Sequence, residues 1–87
     1  MVRVLIPSQL HSYSGGASRV TAEGGVVGEV LDDLDRRFPG LKFRVIDEQD
    51  RIRPHMKIFV GPEMALDVRA AVREGDEVMI FGALSGG

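Results

Sequence analysis

One amphipathic helix is the feature that most constrains the fold open to this chain of 87 residues. From Val26 to Phe38, apolar residues recur with the helical period and charged residues fill the remaining faces. The apolar positions are Val27, Val30, Leu31, Leu34 and Phe38. Acidic residues precede the arginines, as the helix macrodipole prefers, and Pro39-Gly40 ends the segment. The pattern predicts one long helix, in which Gly28 is a weak point of about 1 kcal/mol relative to Ala.

Four β-rich runs flank this helix. Residues 2–6 alternate β-branched and other side chains, and residues 17–22 extend again after the turn formers of 11–16, so the two runs predict a hairpin. Residues 57–60 and 77–81 are the other two runs, and both are rich in the apolar residues that strands favour. The order of elements is therefore two strands, the helix, and two further strands.

Two connections have weaker patterns. Residues 41–54 show no clean period and are predicted to be irregular, whereas residues 64–72 fit either a helix or a short strand with one helical turn. Because a single helix covers only one face of a sheet, we expect an α+β fold with a mixed sheet of four to five strands, its first and last strands paired centrally. This is the β-grasp arrangement, with a domain over 1–82 and a flexible tail over 83–87.

The predicted strands also place apolar side chains on the face away from the helix. If residues such as Val4, Ile58 and Ile80 face the helix, alternation along each strand directs their neighbours outward. These outward residues are Leu5, Phe59, Met79 and Phe81. Scattered apolar residues are common on protein surfaces, but several on neighbouring strands favour a partner-binding site.

The composition excludes several function classes. Apolar residues make up 44% of the chain and charged residues 28%, which is typical of a folded soluble domain. The net charge of −2 gives no concentrated basic surface, so we expect no nucleic-acid partner. No run approaches the ~18 apolar residues of a membrane span, and the expected compartment is the cytoplasm. The chain contains no cysteine, so any sulfur chemistry must use another group.

No catalytic or metal site emerges from the remaining polar residues. His11 and His55 are far apart in sequence and have no cysteine beside them to complete a ligand set. The serines lie in turn-forming contexts without a nucleophile motif. Asp32, Asp33 and Asp35 point in different directions on a helix and predict a solvated face.

The terminal pair Gly86-Gly87 admits two interpretations from the residues alone. It is either a frayed end or the narrowest possible peptide, able to enter a channel that any β-carbon would block. Its carboxylate is ionised at neutral pH, so it is a poor electrophile unless an ATP-using partner activates it. Residues 83–87, fully extended, reach about 17 Å at ~3.3–3.6 Å per residue, which is enough to enter the buried site of a partner.

Taken together, these features resemble the ubiquitin-like β-grasp sulfur carriers of the ThiS/MoaD family. The matching segments are residues 27–34, Phe38-Pro39-Gly40-Leu41, Ile58-Phe59-Val60, residues 74–78 and Ser85-Gly86-Gly87. The connection over 44–55 looks most like that of the cysteine-biosynthesis, or CysO-like, branch. Many members carry Asn-Gly in the turn after the third strand, where this chain has Gly61-Pro62. Many also carry Thr as the cap of the helix, where this chain has Val26.

The resemblance implies a carrier rather than an enzyme. In the family, the terminal carboxylate, here on Gly87, is adenylated by a ubiquitin-activator-like adenylyltransferase and becomes a thiocarboxylate, which makes Gly87 a 1-thioglycine. Gly86 and Ser85 would form the slender approach to it, and Phe81 and Met64 match partner-facing positions. No cofactor is implied on the chain itself, because the partner uses the ATP. A second partner would be the biosynthetic enzyme that accepts the sulfur.

Three alternatives remain open at this point. The chain could be a ubiquitin-like modifier joined through Gly87 to lysines, the small subunit of a molybdopterin-synthase-like complex, or an interaction domain with an inert tail. The sequence leaves open the final sulfur acceptor, the activating enzyme and the oligomeric state.

Overall fold

The structure of the protein is a computed structural model, and it describes residues 1–82. It contains five strands, two helices and a short 3-10 turn at Ser8–Leu10. The strands are β1 (Val2–Leu5), β2 (Arg19–Ala22), β3 (Met56–Val60), β4 (Glu63–Met64) and β5 (Glu77–Gly82). The helices are α1 (Val27–Arg37) and α2 (Leu41–Val45). Among these residues, no helix has the length and apolar character needed to cross a bilayer.

The five strands form one mixed sheet in the order β2-β1-β5-β3-β4. β1 and β5 are parallel neighbours at its centre, and the other neighbouring strands are antiparallel. The first and last strands therefore pair centrally, as the element order predicts. This sheet with one main helix is the ubiquitin-like β-grasp fold, so the predicted fold class is confirmed.

The core lies between α1 and one face of the sheet. The buried face of α1 consists of Val27, Val30, Leu31 and Leu34, the positions that the helical period selects. The buried strand residues alternate with exposed ones, as the strand period predicts. They are Val2, Val4, Ala22, Met56, Ile58, Val78 and Ile80. Each fully buried Val, Leu or Ile contributes roughly 1.5–3 kcal/mol relative to an exposed one, so this layer supplies most of the stability.

The prediction of irregular structure over 41–54 is wrong for its first part, because Leu41–Val45 forms helix α2. Five residues are too few for a periodic signal, and the helix depends on contacts from elsewhere in the chain. Leu41 and Val45 are buried in the core. The carboxylate of Asp35 in α1 accepts hydrogen bonds from the backbone N–H groups of Gly40 and Lys42, both at 3.1 Å. These bonds satisfy donors at the start of α2, where no intrahelical acceptor exists.

Residues 64–72, which the sequence left between helix and strand, contain no helix in the structure. Met64 belongs to the two-residue strand β4, and the chain then runs across the N-terminus of α1. The N–H groups of Val27 and Gly28 donate to the carbonyls of Ala70 and Val68, at 3.0 and 2.9 Å. The side chain of Val26 makes no capping hydrogen bond, so these two carbonyls satisfy N–H groups of the first turn of α1 instead.

Gly28 lies where the 64–72 segment meets α1. A β-carbon at this position would lie 3.4 Å from both the Cβ and the carbonyl oxygen of Val68. That distance is a close van der Waals contact, so the 64–72 segment packs directly against α1 at this position. The weak point that the sequence predicts is the place where a neighbouring segment contacts the helix.

Candidate functional site

A row of side chains crosses the face of the sheet that the helices leave bare. Leu5 in β1 pairs with Met79 in β5, Met79 pairs with Phe59 in β3, and Phe59 pairs with Met64 in β4. Residues directly opposite each other on neighbouring strands direct their side chains to the same face. Four neighbouring strands thus contribute one apolar side chain each to a continuous row, which we call the apolar row.

Phe81 extends this surface toward the end of β5. It lies two residues beyond Met79 on the same face, and its ring meets that of Phe59 edge to face, with centroids 5.7 Å apart. Phe81 is 48% exposed and Met64 is 47% exposed, whereas Leu5, Phe59 and Met79 are half-buried by one another and by their neighbours. We call the apolar row together with Phe81 the bare face. The structure thus brings all five sequence-predicted partner-facing residues together.

Positive charges border the bare face. Arg19 in β2 is exposed and lies directly opposite Leu5, which places it at the end of the apolar row. Lys57 pairs with Phe81 across β3 and β5, and its side chain is also exposed. Arg3 lies on the same face, and its guanidinium is 3.9 Å from the carboxylate of Glu77. A partner that covers this surface therefore meets an apolar centre with a mainly basic rim.

Sequence reasoning missed Arg19 as a member of this site. The signal was present in the hairpin, because an antiparallel pairing of residues 2–5 with residues 19–22 places Arg19 opposite Leu5. The register depends on the turn between the strands, which spans more than a dozen residues and includes Gly15 and Gly16 with positive φ. A turn of that length does not fix the pairing in the way that a two-residue turn would.

The acidic residues of α1 stabilise the fold and do not converge on one point. Asp33 accepts hydrogen bonds from the backbone N–H of Glu23 at 3.0 Å and from the guanidinium of Arg36 at 2.6 Å. These two contacts, together with the charge of Arg37, hold the pKa of Asp33 below its usual value. Asp32 pairs instead with Lys42 and raises the pKa of that lysine.

The histidines and serines also have structural environments. The ring nitrogen Nε2 of His11 lies 3.0 Å from the carbonyl oxygen of Ile6, and His55 is exposed. Ser14 is buried, and its hydroxyl donates to the carbonyl of Ala17 at 2.7 Å. Within residues 1–82, no cluster of three side chains of metal-binding type occurs.

The predicted reactive end of the site lies outside the described residues. Ser85, Gly86 and Gly87 belong to the segment 83–87, which begins directly after the last residue of β5, Gly82. The bare face and this segment are adjacent in the chain, because Phe81 precedes Gly82. At the same place the side-chain amide of Gln9 donates a hydrogen bond to the carbonyl of Gly82 at 2.8 Å. Sequence reasoning did not select Gln9, because the contact joins residues far apart in the chain.

Comparisons with known proteins give full-length relatives. No family model matches the chain. The sulfur carrier protein CysO of Mycobacterium tuberculosis (strain ATCC 25618 / H37Rv) is 34% identical over 94 aligned positions, which cover 99% of this chain and 98% of the relative. The CysO of Mycobacterium bovis (strain ATCC BAA-935 / AF2122/97) matches equally well.

Solved structures agree with these relatives. A chain of the Amycolatopsis orientalis BexX/CysO complex superposes with a TM-score of 0.92 at 32% identity, and the superposition covers 100% of this chain and 100% of that one. The crystal structure of Mycobacterium tuberculosis CysO gives 0.90 at 29% identity, over 97% of this chain and 100% of that one. The small archaeal modifier protein SAMP1 of Haloferax volcanii gives 0.78 at 28% identity, over 99% and 98%.

Proposed function

This chain belongs to the CysO-type sulfur carriers of the ThiS/MoaD family, and we propose that its working group is the carboxylate of Gly87, which becomes a thiocarboxylate and donates sulfur in cysteine biosynthesis. The observation that carries the proposal is the bare face, an unpartnered apolar surface built from four strands directly before the tail. A docking surface that lies directly before the terminal segment suits a co-substrate of other enzymes.

The proposed chemistry has two steps, and both take place in the active site of a ubiquitin-activator-like adenylyltransferase. A carboxylate oxygen of Gly87 first attacks the α-phosphorus of ATP, and pyrophosphate leaves with the electrons of the broken bond. A hydrosulfide equivalent then adds to the carbonyl carbon of the acyl-adenylate and expels AMP, which carries away that oxygen. The product is a thiocarboxylate, and ATP supplies the free energy that the ionised carboxylate lacks.

The bare face supplies the docking energy in this proposal. Buried aromatic side chains dominate the binding energy of most interfaces, and Phe59 and Phe81 form an edge-to-face pair on the bare face. The basic rim formed by Arg19 and Lys57 favours a partner with acidic residues around an apolar pocket. Since the carrier must leave its activator to reach the sulfur acceptor, we expect transient complexes at the small end of interface sizes.

The crystallised relative from Amycolatopsis orientalis supports docking as part of the role, because its structure is a BexX/CysO complex. By analogy, we propose that this chain binds two partners in turn, the adenylyltransferase and a sulfur-accepting biosynthetic enzyme. The reaction consumes ATP and a reduced sulfur donor, and we therefore assign it to the cytoplasm.

Intact-mass spectrometry tests this proposal directly. The chain is incubated with its cognate activating enzyme, ATP and a sulfide source, and its mass is followed with time. We expect a shift equal to the exchange of one oxygen for one sulfur, located by fragmentation at Gly87. A parallel reaction without ATP should show no shift. An unchanged mass with a proven cognate activator would contradict the proposal.

A protein modifier is the second candidate, because SAMP1 of Haloferax volcanii shares the fold at 28% identity. In that role Gly87 would form an isopeptide bond with lysine amines after the same activation step. An immunoblot of cells that express a tagged chain separates the two roles. Carriage predicts a single free band, whereas modification predicts a ladder of adducts that disappears when Gly86 and Gly87 are deleted.

A further inference from the structure

The side chain of Gln9 holds the last residue of the sheet. Its amide nitrogen Nε2 donates a hydrogen bond to the carbonyl oxygen of Gly82 at 2.8 Å. The two groups approach so closely that a β-carbon on Gly82 would lie 2.7 Å from that nitrogen. Gly82 is also where β5 ends and the segment 83–87 begins. The contact therefore joins the body of the protein to the base of the tail.

The sheet register explains why a side chain performs this task. β1 and β5 are parallel, with Arg3 opposite Glu77, and the N–H of Arg3 donates to the carbonyl of Asp76 at 3.1 Å. In a parallel ladder such bonds recur every second residue, so a longer β1 would place the backbone N–H of residue 9 at the carbonyl of Gly82. The strand cannot continue to that point, because Pro7 has no N–H. The side-chain amide of Gln9 supplies the missing donor.

The turn that carries Gln9 is itself fixed to the body. Leu10 is buried in the core, and its N–H donates to the carbonyl of Pro7 at 2.9 Å. His11 follows, with its ring nitrogen 3.0 Å from the carbonyl of Ile6. Gln9 thus projects from a short 3-10 turn held on both sides, although its own side chain is exposed. A donor in this position can fix the direction of the backbone at Gly82.

We propose that Gln9 is a positioning residue that sets the direction in which the chain leaves the sheet and so raises the rate at which the docked carrier reacts at its terminus. This inference rests on the proposed function. Fixing the base of a tethered group narrows the volume that its end explores, which raises the effective concentration of the carboxylate in the partner's active site. Because Gln9 contacts the base of the tail and not the bare face, its replacement should lower kcat and leave the affinity for the partner unchanged.

Steady-state kinetics with the cognate activating enzyme tests the proposal through the separation of kcat from KM. Gln9→Glu keeps the shape of the side chain and removes the donor. We expect it to lower kcat for carrier adenylation about three- to tenfold, the range of one modest hydrogen bond, with KM for the carrier within about twofold of the parent. Gln9→Lys keeps an N–H donor on a chain of similar length and should recover at least half of the lost rate.

Ser8→Glu is the matched control, because it places the same charge in the same turn on an exposed side chain one residue away. It should leave kcat at the parent value. Equal losses in Gln9→Glu and Ser8→Glu would overturn the proposal, since charge would then explain both. A Gln9→Glu variant with the parent kcat would overturn it as well.

A measurement on the free protein separates this inference from the proposed function. The ¹⁵N relaxation of the Ala83 amide reports the motion of the chain just beyond Gly82. We expect faster motion at Ala83 in Gln9→Glu than in the parent and in Ser8→Glu. If the activating enzyme does not adenylate the parent, the proposed function fails. Unchanged relaxation at Ala83 in Gln9→Glu would overturn the role of Gln9, whatever the result with the enzyme.

Discussion

The two faces of the sheet carry apolar side chains from the same strands but differ in what covers them. On one face, residues such as Val4, Ile58 and Ile80 lie beneath α1 and are almost fully buried. On the other, Phe81 and Met64 keep nearly half of their surface in water. Two residues that are adjacent along a strand thus lie in different environments, one in the core and the other in contact with water. The covered face supplies stability, and the bare face is the surface that we propose a partner covers.

This contrast also separates the two kinds of damage that substitutions cause. A change on the covered face leaves a cavity in a close-packed core, and its effect is measured in the free energy of unfolding. A change on the bare face removes contact area that the isolated protein uses only in part, and its effect is measured in partner affinity. If the separation holds, the effects should decrease in the order Ile58, Phe81, Asp33 and Arg19.

Removal of Ile58 should give the largest effect. Ile58 is fully buried in β3, so Ile58→Ala should reduce the free energy of unfolding by about 2–5 kcal/mol in urea denaturation. Ile58→Val removes a single carbon and should lower the free energy of unfolding by about 1 kcal/mol. This milder variant keeps the test measurable if the alanine variant does not fold. The neighbour Phe59 faces the other way, so Phe59→Ala should destabilise the protein less than Ile58→Ala. The reverse order would contradict the assignment of faces.

Truncation of Phe81 should act on binding. We expect Phe81→Ala to weaken the affinity for the activating enzyme about tenfold or more, as for an aromatic anchor in an interface, while the free energy of unfolding falls by no more than about 1 kcal/mol. Isothermal titration calorimetry measures the affinity. The control is Phe43→Ala, because Phe43 is similarly exposed, at 53%, but lies on α2. Equal losses of affinity in the two variants would remove the special role of the bare face.

Asp33 should make a smaller contribution, which belongs to stability and depends on pH. Asp33→Asn weakens the contacts to Glu23 and Arg36 and should cost about 1 kcal/mol at neutral pH. Because folding lowers the pKa of Asp33, its contribution is present above the ordinary value of 3.8 and is lost as the pH falls through the lower, folded value. The stability gap between parent and variant should therefore narrow in acid. A gap that widens in acid would contradict this sign.

The basic rim should give the smallest effect. Arg19→Ala should slow association with the activating enzyme about two- to threefold at low salt, and the difference should vanish at high salt because the rim charge is screened. Stopped-flow fluorescence measures the association rate. Arg44→Ala removes the same charge from an exposed position on helix α2 and should leave the association rate unchanged. A faster association for Arg19→Ala would indicate a basic partner surface.

The sequence predicted the parts of the fold that depend on local periodicity. Alternation assigned Val4 and Ile58 to one face and Leu5 and Phe59 to the other, and the helical period selected Val30 and the other buried residues of α1. The central pairing of the first and last strands followed because one helix leaves few ways to cover a mixed sheet, whereas the full strand order came only from the structure. Both inferences use patterns that repeat along the chain, which is why they needed no contact information.

What the sequence did not provide depends on residues that meet only after folding. Helix α2 depends on Asp35 of the preceding helix, and the contact between Gly28 and Val68 joins α1 to a segment about 40 residues later. The contact between Gln9 and Gly82 spans nearly the whole chain. The predicted partner-facing residues lie on one face as expected, and their role in binding stays a prediction.

Extension of the chain by one phenylalanine after Gly87 isolates the terminal carboxylate as the group under test. The extended chain keeps residues 1–82 unchanged, including the bare face and Gln9. Its affinity for the activating enzyme should therefore stay close to that of the parent. Intact-mass spectrometry with ATP and sulfide should then show sulfur in the parent and none in the extended chain. Sulfur gained by the untrimmed extended chain at the parent rate would contradict the claim that a glycine carboxylate, presented by a docked body, is the working group.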